Sequence, residues 1–200
     1  MRATLLGFSS ILALAACGNG DGTPRVRVAV DAAPAITAPV EIEEVVTPLS
    51  EPVEGKISAI RDILERNSMA RLVRLANAEE NFVSNFAGES HRVHWDLLRR
   101  TGFDPLMRLG ALLDGPYGTR QVGDQTWYIW PDFAAREPED LLPERLDFAD
   151  RARLRELVGD NGLERIRAGE SYPGIRTAIA EDGRWLYFVH ETAEETETSE

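Results

Sequence analysis

Cysteine occurs once in the 200 residues, at Cys17. No intrachain disulfide can form, and no site built on several cysteines exists. A domain without disulfides must be held by packing. Lysine also occurs once, at Lys56, against 21 arginines, which reads as the coding bias of a GC-rich genome. Aromatic residues are missing from positions 9–81: of fifteen, one is Phe8 and the rest fall between Phe82 and Phe188. The longest apolar run, 5–14, is about half the roughly 20 residues of a membrane-spanning helix. The glycine loops that cradle phosphates, G-x-G-x-x-G and G-x-x-x-x-G-K-[ST], are absent, so no nucleotide cofactor is expected.

What is present is acidity, and it is unevenly placed. The formal charge is −12. Residues 18–55 carry two arginines against seven acids, and 191–200 carry five glutamates and no base. The stretch between them, 56–190, has 19 bases and 22 acids and is close to balanced. The net charge therefore describes two flanking segments and gives no acidic binding face to the domain.

The first sixteen residues have the three parts of an export signal: Met1-Arg2, an apolar stretch, and the small pair Ala15-Ala16. Leu14-Ala15-Ala16-Cys17 resembles the lipobox of bacterial lipoproteins at every position. The resemblance implies cleavage before Cys17, a diacylglycerol thioether on its sulfur, and acylation of the new amino terminus. Two or more acyl chains anchor stably where one does not. By the sorting rule of that family, Gly18 (a residue other than Asp) directs the product to the outer membrane, facing the periplasm.

Residues 17–55 read as the lipidated cysteine and a disordered spacer. Prolines 24, 34, 39, 48 and 52 and the absence of aromatics leave little to bury. A coil of this length spans roughly 35 Å. Within it, Arg25-Val26-Arg27-Val28-Ala29-Val30 alternates like a strand that docks on a sheet edge or a partner.

The globular domain is expected over 56–190, with an acidic disordered tail at 191–200. Ile57, Ile60, Ile63 and Leu64 share a helical face, and Asn67-Ser68 ends that helix and caps the next, which carries Leu72, Val73, Leu75 and Ala76. Phe82 and Phe86 fall in a polar loop. Ser90 caps a helix over 91–100 with Val93, Leu97 and Leu98 inward. Asp104-Pro105 starts another, presenting Leu106, Leu109, Leu112 and Leu113. Strands are expected at 120–122 and 126–130 through Gly123-Asp124. A turn of helix follows at 138–142, and Asp147 caps a helix to Val158 with Phe148, Leu154 and Leu157 apolar. A short helix over 161–168 ends at Gly169.

The clearest local signal is a hairpin over 175–190, with Asp182-Gly183 as a type I′ turn. Strict alternation puts Trp185, Tyr187 and Val189 on one face and Leu186 and Phe188 on the other. The fold class is α+β: helices packed on a small antiparallel sheet with a C-terminal β-hairpin. Tyr128-Ile129-Trp130-Pro131 together with Asp182-Gly183-Arg184-Trp185-Leu186-Tyr187-Phe188 resembles a pattern of uncharacterised proteobacterial envelope proteins over 80–190. That resemblance implies no activity.

One polar cluster, Glu89-Ser90-His91-Arg92-Val93-His94-Trp95-Asp96, can carry chemistry. His91 and His94, three apart, share a helical face and can share a metal with Glu89 or Asp96. The i, i+4 spacing of zinc proteases is absent. Gly88-Glu89-Ser90-His91-Arg92 approaches the G-x-S-x-G elbow with Ser90 as nucleophile, but lacks the last glycine and a preceding strand. The competing reading is an ordinary helix start, with Ser90 as cap and Glu89 suiting the dipole. It is preferred, with no metal bound. Arg145, Arg151, Arg153, Arg155, Arg165 and Arg167 form a basic stretch suited to lipid phosphates, or an ion-paired helix face given the interleaved acids. The aromatics of 127–130 and 185–188 either line an apolar ligand pocket or fill the core.

The expected protein is a membrane-anchored envelope lipoprotein with a non-catalytic binding or scaffolding domain. The alternative is a periplasmic hydrolase acting on cell-wall or lipid substrates through Glu89, Ser90, His91, His94 or Asp96. The partners within reach are the membrane through Cys17, envelope proteins and the cell wall, not nucleic acid.

Overall fold

The structure is a computed structural model and describes residues 47–191. The expected signal peptide at 1–16, Cys17, Gly18, the expected spacer to residue 46 with its 25–30 alternation, and the expected tail from 192 lie outside the described residues.

Helix α1, Glu51–Glu65, starts before the expected domain boundary at 56. Its signal is Pro52 in the first turn with Glu51 and Glu54 beside it, favourable residues at a helix start. The segment before it is also held: the Thr47 and Pro48 carbonyls accept hydrogen bonds from the Tyr117 and Tyr128 hydroxyls at 2.9 and 3.0 Å. Asn67, at φ 45°, turns the chain, and Ser68 caps α2, Met69–Ala78. Helices α3, His91–Arg100, and α4, Pro105–Asp114, begin at the expected caps, Ser90 and Asp104. No helix of the described residues is long and apolar enough to cross a membrane.

Strands β1 (Gly118–Val122), β2 (Gln125–Trp130), β3 (Arg176–Ala180) and β4 (Trp185–Val189) form an antiparallel meander in the order β1-β2-β3-β4. This is the expected α+β class with its C-terminal hairpin. Val83 adds a parallel bridge outside β4, its N–H donating to the Leu186 carbonyl and its carbonyl accepting from Phe188.

Three details of the hairpin differ from the sequence reading. Gly183 has φ 85°, but Asp182 is not in the left-handed region. The Gly183 N–H bonds the Ala180 carbonyl and the Ala180 N–H bonds the Arg184 carbonyl. This is a three-residue loop closed by a left-handed glycine, not a type I′ turn. Further along, Ile179 pairs with Trp185 while Ala178 pairs with Tyr187. Leu186 is thus an extra residue in β4, a bulge that breaks the strict alternation. Trp185 and Phe188 therefore share a face, and Tyr187 and Val189 take the other.

The helical side buries Tyr128, Trp130, Ile179, Trp185 and Phe188 against Val53, Ile60, Leu72, Trp95 and the leucines of α4. The Trp185 ring lies 4.3 Å from that of Phe82, and its Nε1 donates to Thr177 Oγ1 at 2.8 Å. Phe82 is thus core, while Phe86 is exposed. The one lysine, Lys56, pairs with Glu79, whose other carboxylate oxygen accepts from the Trp185 N–H at 3.2 Å.

After β2 come 3₁₀ turns at Asp132–Ala135 and Pro138–Leu141, then α5, Phe148–Arg167, capped by Asp147. Gly159 (φ 68°, ψ −176°) kinks α5 where the sequence separates two helices. Phe148, expected on the apolar face, is 86% exposed. A second core of Phe133, Leu141, Leu146, Leu154, Leu163 and Ile166 lies under α5. Asp132 accepts two bonds from Arg153, at 2.7 and 2.9 Å, and one from Arg136 at 3.0 Å. Both guanidinium carbons sit over the Phe133 ring, at 4.2 and 4.6 Å from its centroid. Burial pushes the Asp150 carboxyl up, but hydrogen bonds from Arg153 and Arg136 outweigh it and hold the group below its ordinary range.

Candidate functional site

The histidine helix begins as the sequence suggests and faces differently. Ser90 Oγ accepts from the Val93 N–H at 3.4 Å, an N-cap contact. Glu89 is exposed, and its backbone exchanges two hydrogen bonds with the Asn85 amide, at 2.9 and 3.0 Å. Asp96 pairs with Arg92 one turn back at 2.6 Å. The expected inward residues Val93 and Leu97 are 55% and 48% exposed, while His94 and Trp95 are buried. The inward face is chosen by the aromatic cluster it meets. Trp95 packs 6.1 Å from Phe188 and 6.3 Å from Phe82.

His91 lies 5.1 Å from the Phe82 ring, edge to face, and its Nδ1 is 2.7 Å from Ser84 Oγ. A Ser–His pair at this distance is the first requirement of an activated nucleophile. Ser84, however, is 1% exposed, so a substrate has no path to its oxygen in this conformation. Its hydroxyl also accepts from Asn85 Nδ2 at 3.1 Å. The pair stitches the loop after α2 to the start of α3. His94 Nε2 is buried without a hydrogen-bond partner, and so is Nδ1 of His190, which follows β4. Phe103 stacks on His190 at 4.4 Å. Among the described residues no group of three or more His, Cys, Asp or Glu is arranged to hold a metal.

Burial lowers the pKa of all three histidines. For His94 nearby Glu89 opposes the shift and His91 adds to it. For His190, Arg108 and His94 add to it and Glu191 opposes it. The folded state thus favours neutral rings. The unfolded chain, with ordinary values near 6.5, takes up more protons as pH falls below that value. Stability should be full above about pH 6.5 and decline below it, until the folded histidines also titrate. Each histidine adds at most about 1.4 kcal/mol per pH unit, and solvent screening keeps the half-exposed His91 below that. Urea unfolding midpoints at pH 7.5 and 5.5 measure this. His94→Gln should narrow the difference, and an equal midpoint at both pH values in the unmutated protein would contradict it.

The second feature is a cleft of about 370 Å³ on the sheet face away from the helical core. The cross-strand partners Arg120 and Trp127 supply one side and Tyr187 and Val189 the other. Between them the middle of β3 carries the small Ala178 and Ala180, partners of Ile129 and Trp127, and its first residue, Arg176, lines one end of the cleft. Trp127 and Tyr187 stand edge to face at 6.5 Å. Phe86 forms one rim, and Tyr172 with Ser171 forms another. The sequence joined 127–130 and 185–188 as pocket or core. The sheet divides them: Trp127 and Tyr187 line the cleft, and Tyr128, Trp130, Trp185 and Phe188 are core.

The cleft's polar groups are few. The Tyr172 hydroxyl is buried without a partner, and burial raises its pKa. Burial also raises that of Tyr187, and the charges of Arg176 and Arg120, which line the same cleft, oppose the shift. Arg176 is held on both terminal nitrogens: it bonds the Tyr172 and Gly174 carbonyls and pairs with Glu191, the one residue of the expected tail that is described. Arg120 bonds the Ala135 and Arg136 carbonyls through Nε and Nη2, and its carboxylate neighbour, Glu137, stands 3.6 Å away. No described hydrogen bond uses its Nη1. The lining includes neither carboxylate nor histidine.

The six arginines of the basic stretch are all engaged. Arg145 meets Asp140, Arg153 meets Asp132 and Asp150, and Arg155 meets Asp160. Arg165 meets Glu170, Arg167 meets Glu144, and Arg151 bonds the Leu146 carbonyl. This is an ion-paired face. No protein-family model, curated protein or solved structure matches this chain.

Proposed function

We propose that this protein is an envelope lipoprotein, anchored through Cys17 at the periplasmic face of the outer membrane, whose domain is a non-catalytic binding module. The observation that carries the binding reading is the cleft on the open sheet face. Its size falls in the small-molecule range of roughly 300–1,000 Å³. Its walls are apolar and aromatic, its cations sit at fixed places, and its lining lacks an acid–base pair. Leu14-Ala15-Ala16-Cys17 supports the anchor. The Ser84–His91 pair favours the hydrolase as a second reading, and the burial of Ser84 weighs against it.

The anchor has a direct test. Cells fed radiolabelled palmitate should label the wild-type protein and sediment it with membranes. The Cys17→Ser variant should lose the label and appear soluble or unprocessed. Undiminished labelling of that variant would remove the lipoprotein assignment.

A further inference from the structure

We propose that the cleft binds a single-chain amphiphile with a carboxylate head, a free long-chain fatty acid, with the carboxylate on Arg120 and the chain along Trp127, Tyr187 and Val122. This rests on the binding-module reading and names its ligand.

The argument begins with what the cleft exposes. Trp127 and Tyr187 are half-buried, and Val122 and Phe86 are 38% and 64% exposed. This apolar surface lies in a concavity on a sheet whose opposite face is fully packed. At about 370 Å³ the space is near the lower end of ligand sites, which suits one chain and not the several chains of a membrane lipid.

The charge is equally specific. Arg176 already has a carboxylate in Glu191. Arg120 has only the longer contact to exposed Glu137, and its Nη1 is unused by any described partner. A guanidinium edge held from behind by two carbonyls is preorganised, and it favours a planar carboxylate through charge-assisted hydrogen bonds. A neutral apolar ligand would leave the Arg120 edge desolvated without compensation. A cationic one would meet two guanidinium groups.

Trp127 provides the readout. The other three tryptophans, Trp95, Trp130 and Trp185, are at most 1% exposed. A bromine atom quenches indole fluorescence at short range, so a brominated chain in the cleft reports chiefly on Trp127, the one tryptophan that lines it. The experiment uses the full mature chain carrying Cys17→Ser, which needs no detergent. It is titrated with dibrominated stearate below the micelle concentration, and separately with the matching dibrominated alcohol.

The expected result is saturable quenching by the acid, with affinity at least about tenfold above the alcohol, one charge-assisted contact being worth that much. Arg120→Gln should bring the acid down to the alcohol, and Trp127→Phe should abolish the quench. The acid–alcohol comparison on the unmutated cleft decides the matter even if Arg120→Gln fails to fold. Equal affinity of acid and alcohol overturns the carboxylate assignment and leaves the binding module standing. Absence of saturable quenching by either, with a native near-UV spectrum, overturns both the fatty-acid ligand and this cleft as the small-molecule site.

Discussion

Replacing Trp185 by alanine is expected to lower the unfolding free energy by about 3–5 kcal/mol, the range for an aromatic removed from a packed core. Trp185 has no exposed surface. Its ring contacts Phe82 and stacks toward Phe188 at 6.4 Å. Its Nε1 completes a short chain in which Thr177 Oγ1 donates onward to the Tyr187 carbonyl at 2.7 Å. Removing it opens a void beside Phe82, Phe188 and Thr177 in the core shared by the helices and the sheet. Total stability of such a domain is about 5–15 kcal/mol, so this loss brings it close to unfolding at room temperature. Trp185→Phe should cost less, because Thr177 keeps its acceptor. Urea denaturation followed by circular dichroism measures both. A loss below about 1 kcal/mol for the alanine variant would mean that the core does not close on this ring.

Gly183→Ala is expected to cost about 2–5 kcal/mol, from two causes that a control separates. Gly183 holds φ 85°, where a side chain adds roughly 1–2 kcal/mol of strain. An added Cβ would also meet the Pro52 carbonyl oxygen at 2.8 Å. That atom is backbone at the start of α1, so it yields only by shifting the helix, typically another 1–3 kcal/mol. Ser50 Oγ donates to the Glu181 carbonyl at 2.8 Å in the same junction, which resists the shift. Gly123, in the other hairpin, has φ 61° and open space around it. Gly123→Ala should therefore show the strain alone. Thermal unfolding of the two variants compares them. Equal losses would show that the hairpin tip does not rest on α1.

Both predictions concern contacts whose partners are distant in the chain, and that separates what was legible from what was not. Local chemistry sets its own boundaries. Ser68, Ser90, Asp104 and Asp147 cap helices where side-chain acceptors precede amphipathic runs, and Gly123-Asp124 closes the first hairpin. These choices depend on a few neighbouring atoms, so the residues alone carry them. The helical start at 51, ahead of the expected 56, falls where Pro52 reads both as spacer and as helix start.

The candidate site was legible only in part. His91 and His94 stood out because they are close in sequence, but Ser84 and His190 reach them only through the fold. The cleft was hidden for a similar reason. Trp127 and Tyr187 read as two members of aromatic blocks, and nothing local marks them as different from Trp130 and Trp185.

The sequence by itself determined the kind and order of the elements, the helix caps, the single thiol, and the excess of acid in the flanks. Only the tertiary structure decided which faces are inside. On α3 two apolar stripes compete, and the one carrying Trp95 is buried because Phe82 and Phe188 meet it, leaving Val93 and Leu97 outside. In β4 the single extra residue at Leu186 reverses the parity of everything after it. A side chain's direction along a strand is known only modulo such insertions, and the insertion is set by the partner strand. That reversal turns Tyr187 from the core into the wall of the cleft.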